Sequence, residues 1–417
     1  MSRRVVINRY ADEIDSLVRR VRKWKTRQAV EPNDEQLMAY VEDAFFDTET
    51  LRNVEISEIR TIIESVYNRV GDKYSILSAL LEDEDINEIM VNGPDYIFVE
   101  KNRRVIQVDD AFTSEAELEE VIRMFASDVH REINEANPIV DARLDSGYRV
   151  NGVLNNVALN GPILTIRKFS ETDIELEDMV RYGSITSECA EDLSALVNCG
   201  YNVFISGGTS SGKTTFLNAL AKSIRPDERA IIIEDSAELR IGQLKNRVHM
   251  ECRSANSIGK GEVNMSDLIK TSLRMRPDRI IVGEVRGREV VDMIQAMSTG
   301  HEGSMSTGHG NSIKGMLNRL ETMYLMDSQI PMYSVKNQIA NAIDIFVHLR
   351  RDSNGKRGVV EVAELNGYDG ENYILNYLYV KDENGNLTRT SNALSDRERL
   401  IRNGYGDKMG ERNDRSA

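Results

Sequence analysis

Cysteine is scarce in this sequence: Cys189, Cys199 and Cys252 are the only three in 417 residues. An odd set with no CxxC pair and no metal-ligand spacing excludes a disulfide framework and suits a reducing cytoplasm. Long hydrophobic runs are missing as well. No stretch of eighteen apolar residues occurs, so a membrane-spanning helix is not expected. The opening MSRRVVINRY lacks the apolar core of a signal peptide, so export by that route is not expected either. Positive charge is in deficit: Lys plus Arg is 53 against 68 for Asp plus Glu, a formal net charge of −15. Proteins that sheathe nucleic acid are usually basic, so no direct nucleic-acid partner is expected. One local basic cluster, Arg19, Arg20, Arg22, Lys23, Lys25 and Arg27, surrounds the single tryptophan, Trp24. It reads first as a solvated helix face and, alternatively, as a docking surface for acidic lipid or an acidic partner.

What is present is ordinary for a globular protein: 40% apolar and 29% charged residues, in a chain long enough for two or three domains. Residues 1–75 read as a helical bundle, because Ile14, Leu17, Val18 and Val21 recur at three- and four-residue spacing. Residues 76–170 turn to short β-rich runs, Ile97-Phe98-Val99, Arg149-Val150-Asn151 and Leu164-Thr165-Ile166. They are punctuated at Gly93-Pro94 and Gly161-Pro162, around a helical pattern at about 115–129. A small α+β domain is expected there. Residues 171–190 are polar and read as a linker with a helix. Over residues 191–382 strand-like runs at 202–206, 230–234, 248–251, 279–282 and 303–307 alternate with helical segments. Such alternation predicts an α/β domain, a mostly parallel sheet flanked by helices. Residues 383–417 are polar and are expected to form a poorly ordered tail.

The strongest chemical signal is Gly207-Gly208-Thr209-Ser210-Ser211-Gly212-Lys213-Thr214-Thr215. It follows a buried-strand run and opens a helical one, the context that a P-loop requires. A triphosphate needs many donors at close range. Glycines at 207, 208 and 212 let the backbone curl so that its N–H groups point inward, and the helix N-terminus adds partial positive charge. Lys213 is placed for the β- and γ-phosphates of ATP, and the Thr214 hydroxyl for Mg²⁺.

Two more strand-like runs end in carboxylates. Ile231-Ile232-Ile233 leads to Glu234 and Asp235; Ile280-Ile281-Val282 leads through Gly283 to Glu284. In a parallel sheet the C-terminal strand ends converge on the ligand crevice, so both acidic groups are expected to face the phosphates. Hydrolysis needs a held Mg²⁺ and a carboxylate that orients or deprotonates water. Thr214, Glu234, Asp235 and Glu284 are the candidate metal ligands. Glu234 and Glu284 share the water-activating role, with Glu284 preferred. A generic P-loop enzyme would carry Asp where Gly283 stands. Two of five histidines, His301 and His309, fall in one short run. Two histidines eight apart are too few ligands for zinc. His309, at a strand end near phosphate, is the candidate nucleotide sensor.

These motifs, in this order, resemble the secretion and type IV pilus ATPases, most closely the Tad/Flp pilus assembly branch called CpaF. The resemblance rests on residues 207–215 as Walker A and Ile233-Glu234-Asp235-Ser236-Ala237-Glu238-Leu239 as the "Asp box". Gly283-Glu284-Val285-Arg286 stands as Walker B, and the "His box" runs from Thr299-Gly300-His301 to His309-Gly310-Asn311. Upstream, Ile89-Met90-Val91-Asn92-Gly93, Asp141-Ala142-Arg143-Leu144 and Thr165-Ile166-Arg167-Lys168-Phe169 also look like the family. The resemblance covers roughly residues 80–367. It implies a RecA-like P-loop domain behind a smaller, PAS-like α+β domain, and a homohexameric ring. It also implies that nucleotide lies between the two domains, with Arg143, Arg149 and Arg167 reaching the γ-phosphate. The partners implied are polytopic inner-membrane platform proteins, with the chain cytoplasmic and peripherally attached through them. The function expected is ATP-driven pilus assembly or secretion. The alternative is a conjugation or type IV secretion ATPase handling nucleic-acid or protein substrates.

Overall fold

A computed structural model describes residues 3–410 apart from 29, 31, 72–73, 103, 169–173, 254, 256–259, 327, 353–354 and 384. The chain divides into two compact units, Met1–Glu171 and Thr172–Ala417.

The first unit opens with helices α1 (Arg3–Arg9), α2 (Ala11–Lys25), α3 (Asp34–Phe46) and α4 (Ile56–Gly71). In α2 the expected face, Ile14, Leu17, Val18 and Val21, is buried. The basic face is partly neutralised within the unit: Arg20 pairs with Asp47 at 2.9 Å and Arg22 with Glu120 at 3.2 Å. Asn33 and Gln36 form a reciprocal capping box that starts α3. After α5 (Ser78–Glu82) come β1 (Ile86–Asn92), β2 (Ile97–Lys101), β3 (Arg104–Gln107), α6 (Glu115–Asp128), β4 (Ile139–Arg143), β5 (Arg149–Val153) and β6 (Ile163–Arg167). The strands form a six-stranded antiparallel sheet in the order β3-β2-β1-β6-β5-β4. Bundle and sheet, expected as separate domains, fall in one unit. The fully buried Arg69 of α4 is part of the reason. It donates to Glu117 of α6 at 2.8 Å and to the Ala111 carbonyl at 2.8 Å.

The second unit starts earlier than the sequence pattern indicates. Its first helices are α7 (Leu176–Arg181) and α8 (Ser187–Asn198). Within the stretch expected as a linker, Leu176, Met179, Ile185 and Cys189 are buried in the core. They are few and separated by polar residues, which is why the stretch looked like a linker. Then come β7 (Val203–Gly207), α9 (Lys213–Ala221), β8 (Ala230–Glu234), β9 (Arg247–Glu251), α10 (Met265–Ser272), β10 (Arg279–Val285), α11 (Val290–Ser298) and β11 (Met305–His309). The chain continues through α12 (Ile313–Leu325), α13 (Met332–Ala342), β12 (Ile345–Arg351), β13 (Arg357–Tyr368), β14 (Tyr373–Lys381), β15 (Leu387–Arg389) and α14 (Glu398–Arg402).

The nine strands form one sheet in the order β15-β14-β13-β12-β7-β11-β10-β8-β9. From β12 to β9 the pairing is parallel, and β12 to β15 is an antiparallel meander. The parallel strands β7, β8 and β10 are nearly fully buried and largely apolar, the pattern of strands covered on both faces. β11 begins two residues later than the strand-like run at 303–307 indicates. Gly303 sits at φ +81, and a side chain there would overlap the Arg279 guanidinium. The later start carries the strand to His309, its last residue.

The polar stretch from 383 is not a loose tail through residue 410. Leu394, Leu400 and Met409 are buried in the core, and Arg399 lies 3.9 Å over the Tyr201 ring while pairing with Asp344 at 2.7 Å. A few well-spaced apolar anchors suffice to dock a segment whose composition is polar. Residues 411–417 lie outside the described residues.

Candidate functional site

The parallel sheet brings the expected residues to one edge. β7 ends at Gly207, β8 at Glu234 and β11 at His309, and Glu284 is the penultimate residue of β10. The phosphate loop joins β7 to α9. Gly212 caps α9 at φ 92, a left-handed conformation that glycine adopts without strain. A Cβ on Gly207 would come within 2.7 Å of the Leu349 carbonyl, so the first glycine is needed for close backbone approach. Thr209 and Ser210 are exposed, Ser211 is buried, and Thr214 and Thr215 lie half-buried in the first turn of α9.

Lys213 is buried, 7% exposed, and its ammonium donates to the Gly208 carbonyl at 3.2 Å. Among the described residues its one carboxylate neighbour is Glu284, Oε1 at 4.0 Å. Burial pushes the Lys213 pKa down; Glu284 pulls it up and Arg286 pushes it down again. Two cations and a histidine surround Glu284. Besides Lys213, Arg286 holds Oε2 at 2.8–2.9 Å, and His309 Nδ1 contacts Oε1. The His309 contact has close approach without hydrogen-bond alignment, so Oε1 has no hydrogen-bond partner although it is buried. Arg286 also reaches Asp235 at 3.5 Å, linking the ends of β8 and β10.

Glu234 is placed differently. It is 3% exposed, accepts from the backbone N–H groups of Glu238 (3.0 Å) and Leu239 (3.1 Å), and contacts His249 Nε2 at 2.5 Å. Both its oxygens are engaged in holding the turn after β8. Its Cγ would lie 2.9 Å from a Cβ at Gly283. The missing aspartate of a generic P-loop enzyme is thus explained: Glu234, from the neighbouring strand, occupies that space.

The other histidine of the pair turns away. His301 Nδ1 lies 3.2 Å from the Ala296 carbonyl, at the end of α11. Arg143, Arg149 and Arg167 lie in the first unit in one cross-strand row. Arg143 opposes Arg149, and Arg149 opposes Arg167, so all three share a face of the sheet. Arg149 holds Asp141 through two bonds of 2.8 and 3.1 Å, Arg143 donates to the Gly147 carbonyl at 3.3 Å, and Arg167 is exposed.

Sequence reasoning missed the roles of three residues. Arg286 lies inside a motif already singled out, and its spacing of two from Glu284 was the available signal. His249 and His348 had none, because both act across strands. Oxygen donors suit Mg²⁺, and the loop fits a metal-bound phosphate. Thr214 and Asp235 offer oxygens, and Ser211 Oγ and Glu284 Oε1 are buried without hydrogen-bond partners. Polar atoms left so are costly unless a ligand satisfies them.

Residues 71–412 match the family described as Type II/IV secretion system protein. The chain belongs to this family. This secretion-family chain is 33% identical over 319 residues to the conjugal transfer protein TrbB of Rhizobium radiobacter, covering 75% of this chain and 93% of that protein. It is 30% identical over 308 residues to the type IV secretion system protein PtlH of Bordetella pertussis, covering 68% of this chain and 91% of that one. Among solved structures, the ATPase DotB of Legionella pneumophila superposes with a TM-score of 0.51 at 20% identity, covering 69% of this chain and 78% of that chain. At that identity the likeness bears on fold alone, and it agrees with the RecA-like core expected from the motifs.

Proposed function

We propose that this secretion-family chain is a Mg²⁺-dependent ATPase that works as a homohexamer. The observation that carries the reading is the convergence of Lys213, Glu284 and His309 beside the loop of residues 207–215, with Glu284 Oε1 buried and lacking a hydrogen-bond donor. Loop amides and Lys213 bind the β- and γ-phosphates. Thr214 and Asp235, with Glu284, are the residues that would hold Mg²⁺, which supplies charge neutralisation at those phosphates. Glu284 accepts the proton of the attacking water. Lys213 exchanges a distant carboxylate for a phosphate, which loosens its hold on Glu284. His309, against the same carboxylate oxygen, reports whether the γ-phosphate is present. Glu234 shapes the site by holding Asp235 and the turn in place. Arg143, Arg149 and Arg167 are assigned to phosphate contact, since the arginine fork binds oxygens bidentately.

The work done is assembly of a Tad/Flp-type pilus or secretion, in the CpaF manner, through polytopic platform proteins of the cytoplasmic membrane. Among the described residues no helix is long and apolar enough to cross a membrane. A peripheral cytoplasmic placement through partners is part of the proposal. The identity to TrbB and PtlH favours a second reading, a conjugation or type IV secretion motor. One experiment separates them. Glu284→Gln should retain ATP binding while turnover falls by about 10²–10⁴-fold. Membranes pulled down with this trapped variant should yield pilus platform proteins. Recovery of DNA-processing proteins would favour the second reading, and unchanged turnover would end both.

A further inference from the structure

β12 carries a buried histidine for which neither the loop motif nor the acidic strands provide a role. His348 is 1% exposed. Its Nδ1 lies 2.9 Å from Ser206 Oγ, on the residue immediately before the first glycine of the phosphate loop. The ring also makes a hydrogen bond to the backbone of Asn311, two residues beyond His309, and that bond favours protonation of the ring. The Asn311 partner is therefore its carbonyl, an acceptor. One ring nitrogen donates to Asn311, and Nδ1 accepts from the Ser206 hydroxyl. This assignment of the tautomer follows from the bonding pattern.

The placement matters because of strand order. β7 lies between β11 and β12, with His348 opposite Ser206 and His309 opposite Gly207. Past the end of the β7–β11 ladder, the phosphate loop and the His309 segment are joined by the Gly310 N–H to the Gly207 carbonyl at 3.2 Å. His348 adds a side-chain strap from β12 that reaches both. On the far side of β11, Thr307 Oγ1 donates to the Gly283 carbonyl at 2.8 Å, so the same row of contacts continues to the residue before Glu284.

We infer that His348 is a positioning residue for ATP hydrolysis, fixing the start of the phosphate loop against the segment that carries His309. It touches no reacting atom. It sets the spacing between the group that binds the γ-phosphate and the group that reads it. The inference rests on the hydrolytic reading above. A small residue leaves the buried Ser206 hydroxyl without its ring partner and releases the Asn311 carbonyl. A residue with one donor and one acceptor of similar reach replaces both bonds.

The test is steady-state ATP turnover by full-length wild type, His348→Ala and His348→Gln, with nucleotide affinity measured separately by a fluorescent ATP analogue. His348→Ala should lower kcat roughly tenfold to a hundredfold, the range that a misplacement of about 1 Å produces, with KM and analogue affinity within about twofold. His348→Gln should recover most of the loss. Unchanged kcat in His348→Ala would overturn the inference. So would equal loss of affinity and folding in both variants, which marks a purely structural role. Absence of turnover in the wild type would instead remove the hydrolytic reading, and this inference with it.

Discussion

Two buried cations in this protein live in opposite circumstances. Arg69, in the first unit, is 2% exposed, and each of its guanidinium nitrogens has a partner: Glu117 at 2.8 Å, the Ala111 carbonyl at 2.8 Å and the Ser65 carbonyl at 3.3 Å. Lys213, in the second unit, is 7% exposed and, among the described residues, makes one carbonyl bond, with its nearest carboxylate 4.0 Å away. A charge taken out of water must be repaid by partners. Arg69 is repaid within the fold, so it is architecture. Lys213 is left short, and what would complete it is a ligand. Arg279, held by Glu228 and by the Val197 and Gly303 carbonyls, belongs with Arg69. Satisfaction of the buried charge, rather than burial itself, separates scaffold from site.

The comparison breaks most visibly in paired Met substitutions. Lys213→Met should lower ATP turnover by at least about 10²–10³-fold, because a charge aimed at the developing phosphate is removed. The same variant should melt at a higher temperature than wild type, since a poorly compensated charge leaves the interior. Arg69→Met should do the reverse. It removes the cation that pairs with Glu117 and bonds two carbonyls, at a cost of about 3–5 kcal/mol to stability, while turnover by the protein that remains folded stays near wild type. Thermal unfolding and single-turnover hydrolysis on both variants check the pair. A destabilised Lys213→Met would refute the contrast.

Gly283→Ala sharpens the account of the two glutamates. The added methyl would meet Glu234 Cγ at 2.9 Å. Overpacking of that kind costs about 1–3 kcal/mol. Since Glu234 is held by Glu238, Leu239 and His249, the strain should pass into the β8 turn and β10, and so to Asp235 and Glu284. Turnover should fall more than ATP affinity. Equal falls in both would mean that Glu234 yields freely.

Much of this was legible beforehand. The loop of residues 207–215, the carboxylates at the ends of β8 and β10 and the strand carrying His309 all follow from local patterns, because each motif is set by its own strand–turn–helix chemistry. Two kinds of feature were not. Segments held by scattered anchors, such as Leu176, Met179 and Ile185 or Leu394 and Leu400, look like linker and tail because composition averages the anchors away. Cross-strand partners, His249 to Glu234 and His348 to Ser206, depend on strand order, which spacing along the chain does not encode.

The smallest effect expected concerns that second histidine pair and acid. Burial holds the His348 pKa below its ordinary value. The Glu361 carboxylate and the Asn311 carbonyl pull it up, while Arg350 and Lys213 push it down. The folded protein therefore keeps this ring neutral where the unfolded chain would protonate it. Stability from this source is complete above the ordinary histidine value near 6.5. It is lost as pH falls from there toward the depressed folded value, because the unfolded state binds the proton first. Carboxylates elsewhere add their own acid dependence, so the measurement is a difference. Unfolding midpoints of wild type and His348→Gln, followed from pH 7.5 to 5.5, should converge as pH falls, with wild type losing more. Parallel curves would mean that the ring accepts a proton in place, against Ser206, and that burial at the end of β12 is less restrictive than its 1% exposure implies.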